Sequence, residues 1–140
     1  MTLPHMFEIL HLGRPQTSNA ERQAHYHASA KVRKAWNEAA LQMCRVTKAP
    51  KNLDCIGIII QPIYDKGPLP DTDAIGPTVK GIIDGIVTGK PNKKSAPGYG
   101  VVPDDSGKHV AYVCLMAPIV IKGSKPGVRV TITNGSSSEG

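Results

Sequence analysis

The apolar positions of this chain change period several times, and each change marks an element. In "MFEILHLG" they alternate, with Phe7, Ile9 and His11 on one side, which predicts a short first strand closed by Gly13 and Pro15. From Asn19 to about Val46 there is neither glycine nor proline and alanine is abundant, so a long helix is expected, N-capped by Ser18 or Asn19. Val32, Ala35, Trp36, Ala39, Ala40 and Met43 recur at steps of three and four and give that helix one face to bury. Lys31, Arg33, Lys34, Gln42 and Arg45 fall off this face and predict a basic outer surface. After a turn at "KAPKN", the β-branched run "LDCIGIIIQPIY" predicts a buried strand ending at Pro62 or Tyr64.

"DKGPLPDTD" is then a loop. Pro77 suits the first turn of a helix, and Val79, Ile82, Ile83, Ile86 and Val87 make an apolar stripe of helical period. A second helix is therefore expected from about Gly76 to Thr88 or Gly89. "GKPNKKSAPGYG" is too rich in glycine, proline and lysine to be anything but a loop. "HVAYVCLMAPIVI" and "GVRVTITN" predict two more strands, joined by "KGSKPG" as a hairpin turn. The expected fold is α+β: one domain over residues 1–134, with a mixed or antiparallel sheet of about four strands and two main helices packed on it. Residues 135–140, "GSSSEG", are expected to be a disordered tail.

A chain of 140 residues can bury a core without staples. With one Trp, one Phe and four Tyr, aliphatic side chains must supply most of the packing. No apolar run approaches the ~20 residues that span a bilayer, and "MTLPHMFEILHLGRP" does not read as a signal peptide. The expectation is a cytoplasmic protein. Cys44, Cys55 and Cys114 are odd in number and none forms C-x-x-C, so they read as small buried apolar residues in a reducing compartment rather than disulfides or zinc ligands. His25 and His27 are two apart, which on a helix turns them about 200° from each other, too divergent for one metal.

Charge sharpens the picture. The net charge is +6, yet six of the seven aspartates lie between residues 65 and 105. Asp71 and Asp73 form a D-x-D just before the second helix, and Asp104 and Asp105 form a D-D just before a strand. Each could be a turn or cap residue. Taken together they could instead meet at one end of the sheet. Like charges brought together raise each other's pKa, and a hard divalent cation with oxygen ligands is the usual compensation. A basic body around an acidic focus would suit a metal-dependent nuclease, with lysine and arginine on the phosphates. Lys80 lies on the second helix off the apolar stripe, four residues before Asp84.

"DTDAIGPTVKGIIDGIV" followed by "GVVPDDSGKHV" resembles the RusA family of Holliday-junction resolvases of phages and prophages. "TSNAERQAHYHASAKVRKAW" is similar to that family's first segment, a polar turn leading into a long helix. The resemblance covers most of the chain. It implies a homodimer that cuts four-way DNA junctions with Mg²⁺, or Mn²⁺ in its place, in the cytoplasm of a bacterial or phage-infected cell. Matched residue by residue, Asp71, Asp73 and Asp105 would be the metal-holding catalytic acids and Lys80 the catalytic lysine, with Asp84 matching the family's acid four residues on. Ala74 stands where Asn commonly follows the D-x-D, and Lys80 lies farther from Asp73 than in the simplest family pattern. Arg14, Lys31, Arg33, Lys34, Lys90, Lys93 and Lys94 are the expected DNA-binding residues. The alternatives are a branched-DNA or flap nuclease of looser selectivity, and a non-catalytic DNA-binding module.

Overall fold

The computed structural model describes residues 3–15, 26–69, 75–89 and 97–135, the side chains of 26–29 excepted. Its elements in chain order are β1 (His5–Ile9), α1 (Tyr26–Val46), β2 (Ile56–Tyr64), α2 (Gly76–Ile86), β3 (Val110–Leu115), β4 (Ile119–Val120) and β5 (Gly127–Asn134). The strands form one mixed sheet in the order β1-β5-β2-β3, with β4 also paired to β2. β5 runs antiparallel to both β1 and β2, whereas β3 and β4 run parallel to β2. Two parallel crossovers therefore build the domain, β1-α1-β2 and β2-α2-β3. A parallel connection needs a crossover segment, and here each carries a helix.

β2 is the centre of the molecule. Its Ile56, Ile58 and Ile60 are fully buried, as are Val128, Val130 and Ile132 of the neighbouring β5. The alternation continues to Phe7 and Ile9 on β1, so one sheet face supplies half of the core. The helices supply the rest through Trp36, Ala39, Ala40 and Cys44 of α1 and Val79, Ile82 and Ile86 of α2. Residues that alternate with these, Glu8, Arg129, Thr131 and Thr133, lie on the opposite face, where Arg129 Nε donates to Glu8 Oε2 at 2.9 Å. His11, expected to extend the buried side of β1, lies beyond the strand and is exposed.

The helices approach each other closely because α2 has glycine at 81 and 85, one turn apart. A Cβ on Gly81 would lie 2.7 Å from the Arg33 carbonyl oxygen, and one on Gly85 would lie 2.3 Å from that of Asn37. The backbone of α1 occupies the space that side chains would need. α1 ends in a Schellman motif: Lys48 is left-handed at φ 56°, Ala49 N donates to Cys44 O, and Lys48 N donates to Arg45 O. Pro50 follows and stops the helix. The expected N-cap at Ser18 or Asn19 and the helix before Tyr26 lie outside the described residues.

One expectation is overturned. "KGSKPG" does reverse the chain, with Gly123 at φ 84°, but β4 and β5 do not pair with each other. They flank β2: Ile63 is opposite Ile119 on one side and Gly127 on the other. The turn passes over the end of β2, where Ile121 N donates to Tyr64 O at 2.9 Å. Turn chemistry fixes a reversal and not the partner, and a strand buried on both edges recruits both neighbours. "HVAYVCLMAPIVI" is likewise two strands rather than one, interrupted around Pro118. Among the described residues no helix is long and apolar enough to cross a membrane.

Candidate functional site

The D-D turn is held against α2 by backbone bonds. Tyr99 N donates to Gly85 O, and Gly100 N and Val101 N both reach Ile86 O, at 2.8 to 3.0 Å. Thr88 N and Gly89 N donate back to Val102 O and Pro103 O. Val101 and Val102 are fully buried beneath this seam. Gly98 begins it, and a Cβ there would lie 1.8 Å from Val87 O. Asp104 and Asp105 leave the seam directly, so their position follows from the end of α2.

The two aspartates differ. Asp104 Oδ1 accepts from Ser106 N at 2.9 Å, which is the Asx-turn arrangement that shapes the loop. Asp105 is exposed. Its charge is felt by Asp84, the half-buried acid of α2. Desolvation pushes the Asp84 carboxyl above the usual aspartate range; Lys80 opposes this, Asp105 adds to it, and Arg33 opposes it. Asp84, Lys80, Asp105 and Arg33 therefore form one electrostatic cluster.

Beside it runs a groove of about 460 Å³ between the helices, lined among others by Arg33, Lys34, Glu38, Lys80, Asp84 and Pro97. Arg33 was expected on the outer face of α1 and instead lines this groove. Helical period shows which face of α1 the sheet covers, whereas α2 reaches the flank carrying Arg33 because Gly81 lets it. Lys31 and Lys34 are exposed, Lys34 standing 4.0 Å from Glu38 one turn on. Arg14 already has structural work: it donates to Lys66 O at 2.7 Å and stacks 4.8 Å over the Tyr64 ring. Lys90, Lys93 and Lys94 lie outside the described residues.

Asp71 and Asp73 also lie outside the described residues. The N-cap position of α2 is Ile75, which makes no side-chain cap bond. Among the described residues no three His, Cys, Asp or Glu side chains converge as a metal site. Asp105 and Asp84 repel one another, and Lys80 and Arg33 offset part of that repulsion.

No family model matches this chain, and no curated protein matches it. The site stands on its geometry and on the motif order.

Asp84 gives a prediction of its own. Its pKa is raised in the folded state, so the native protein binds more protons than the unfolded one between the unfolded value, about 3.9, and the folded value. That favours folding at acid pH and is lost as pH rises through the folded pKa. Asp84→Asn should therefore raise the melting temperature of metal-free protein at neutral pH. The gain should shrink as pH falls and vanish below the unfolded pKa. A gain independent of pH, measured by circular dichroism melts across that range, would show that Asp84 is not destabilised by its burial.

Proposed function

We propose that this protein is a Mg²⁺-dependent endodeoxyribonuclease that resolves four-way DNA junctions and works as a homodimer. The observation that supports it best is the seam between residues 98–103 and α2. It sets Asp105 beside the helix that carries Lys80 and Asp84 and that begins shortly after the D-x-D. The D-D turn thus packs against the end of the helix that carries Lys80 and Asp84.

In this reading Asp71, Asp73 and Asp105 hold the metal, and carboxylate oxygens suit the preference of Mg²⁺ for hard ligands. The bound metal would supply Lewis-acid polarisation of the scissile phosphate and a more acidic water. Lys80 is exposed on α2 and stabilises negative charge that grows on the phosphate. Asp84, one turn on, steadies that ammonium. Arg33 and Lys34 form a basic wall along which a phosphate backbone can lie, a contact that positions DNA without reading sequence. A two-fold dimer presents two such sites to the symmetric strands of a junction.

The test compares cleavage of a four-way junction, a flap and a linear duplex in Mg²⁺ and in EDTA. The proposal expects metal-dependent nicks in the junction, far exceeding those in the other two. Equal cutting of all three substrates would favour the looser nuclease. Binding without any cutting would favour a DNA-binding module in which the acids are structural.

A further inference from the structure

We infer that the loops beyond the carboxyl end of β2 form a second landing surface for DNA, where Lys66, Lys122 and Lys125 join Arg14 on the phosphate backbone of one duplex arm. Such a contact presupposes the DNA reading above and lies far from the acidic cluster. Residues 14, 66, 122 and 125 are distant in sequence, and the fold brings their segments together. Arg14 Nη2 donates to Lys66 O at 2.7 Å, and the guanidinium lies 4.8 Å over the Tyr64 ring. Ile121 N donates to Tyr64 O at 2.9 Å, which sets Lys122 beside the same strand end. Ser124 N closes the turn onto Ile121 O at 3.1 Å. Lys125 follows and lines an open hollow with His11, just past the end of β1.

Charge selects the partner. Arg14, Lys66, Lys122 and Lys125 are all exposed. Asp65 is the sole acid of segments 10–15, 65–69 and 121–126, so four cations less one acid put half of the chain's +6 on these loops. Glu8 lines the same hollow but is paired with Arg129 at 2.9 Å, so its charge is already met. A surface of this sign draws a polyanion, and duplex DNA, with one charge per about 1.7 Å of axis, engages several cations at once. Arg14 is suited to be the fixed point. The Tyr64 ring and Lys66 O hold its guanidinium plane, and that bond takes one of the five N–H groups. Less freedom is then lost when the fork meets a phosphate.

Position gives the contact its role. The nine residues of β2 rise about 3.3 Å each, so its carboxyl end lies roughly 26 Å from its start. The D-D turn is at that start, where Ile56 N donates to His109 O. A duplex rises ~3.4 Å per base pair, so an arm reacting at Asp105 must extend about seven or eight base pairs to reach these lysines. They hold an arm and do not touch the reacting phosphate.

Linear duplex in EDTA tests the surface without metal or cleavage. Replacing Lys66, Lys122 and Lys125 by Ala should flatten the slope of log K against log salt by about 2.7, with about 0.9 from each single variant. Arg45→Gln, exposed in the last turn of α1, should leave the slope unchanged. The backbone bonds of the three loops survive these substitutions, and should the triple variant fail to fold, the single variants carry the test. Hairpin-closed junction arms locate the contact. The triple variant should bind roughly tenfold or more weakly than wild type on arms of about 15 base pairs and match it on arms of about 5. An unchanged slope, or equal losses on short and long arms, would overturn the inference. So would a triple variant that loses anionic lipid vesicles while keeping DNA. A wild type that binds duplex through these lysines and never cuts would refute the proposed activity and leave this surface standing. A junction-selective cutter whose slope ignores the three lysines would do the reverse.

Discussion

Asp105→Asn should lower Mg²⁺-dependent strand cleavage on the order of a thousandfold, with fold and DNA binding intact. A carboxylate that holds a catalytic metal contributes several kcal/mol of charge stabilisation in the transition state, and each ~1.4 kcal/mol is tenfold in rate. Asp105 is exposed on its turn, so the substitution leaves no cavity and disturbs no packing. Asp71→Asn and Asp73→Asn should behave alike. Asp104→Asn is the control, because an asparagine carbonyl oxygen can accept the same bond from Ser106 N that Asp104 accepts now. The substitution has a second readout that needs no DNA. Asp105 helps raise the Asp84 pKa, so removing its charge should lower that pKa, as read by NMR titration. Near-wild-type turnover in Asp105→Asn would remove this residue from the site.

Gly85→Ala should destabilise the protein by about 2 kcal/mol or more, although alanine is the better helix former by about 1 kcal/mol. The new methyl would sit 2.3 Å from Asn37 O and 3.0 Å from the Ala40 Cβ, so α1 and α2 must part. Overpacking of this kind costs roughly 1–3 kcal/mol, occasionally more, and here the obstacle is backbone rather than a flexible side chain. For a domain of this size the melting temperature should fall by roughly 6–10 °C. Gly107→Ala is the comparison, since nothing lies within 4 Å of its Cβ position. Separating the helices would also carry Arg33 away from Asp84, so the Asp84 pKa should shift with the melt. A melting temperature within a degree or two of wild type would show that the helices are not held at this distance.

Much of the fold was legible because burial imposes period. The stripe on α2 predicted Val79, Ile82 and Ile86, and all three are buried. Alternation predicted β5 and the burial of Phe7 and Ile9. Strand partners were not legible, because turn and strand patterns are local while pairing is not. "KGSKPG" looks the same whether its strands pair with each other or flank a third. The helix–helix groove was hidden for a related reason. Periodicity places Arg33 off the sheet-facing side of α1, and only Gly81 and Gly85, read as a close-approach pair, could have announced that α2 covers that flank.

The candidate site divides in the same way. The acids were conspicuous as types and spacings, and the seam that sets Asp105 near Asp84 was not. That seam is made of backbone bonds between residues 98–103 and the end of α2, and backbone bonds leave no trace in side-chain pattern. Asp84 was visible as the i+4 neighbour of Lys80 and as a match to the resembled family's acid, not as a half-buried carboxyl. Its half-buried carboxyl became apparent once the elements around it were placed.

The proposed function requires that Asp71, Asp73 and Asp105 hold a divalent cation beside Lys80 and Asp84 of α2. Paramagnetic broadening by Mn²⁺, titrated into isotopically labelled protein, tests it most directly. Substoichiometric Mn²⁺ should broaden the amide signals of Asp71, Asp73 and Asp105 first, with those of Lys80 and Asp84 close behind, and Asp105→Asn should weaken the effect at all of them. Broadening confined to one of the two acidic motifs, or spread evenly over the surface, would contradict a shared metal site.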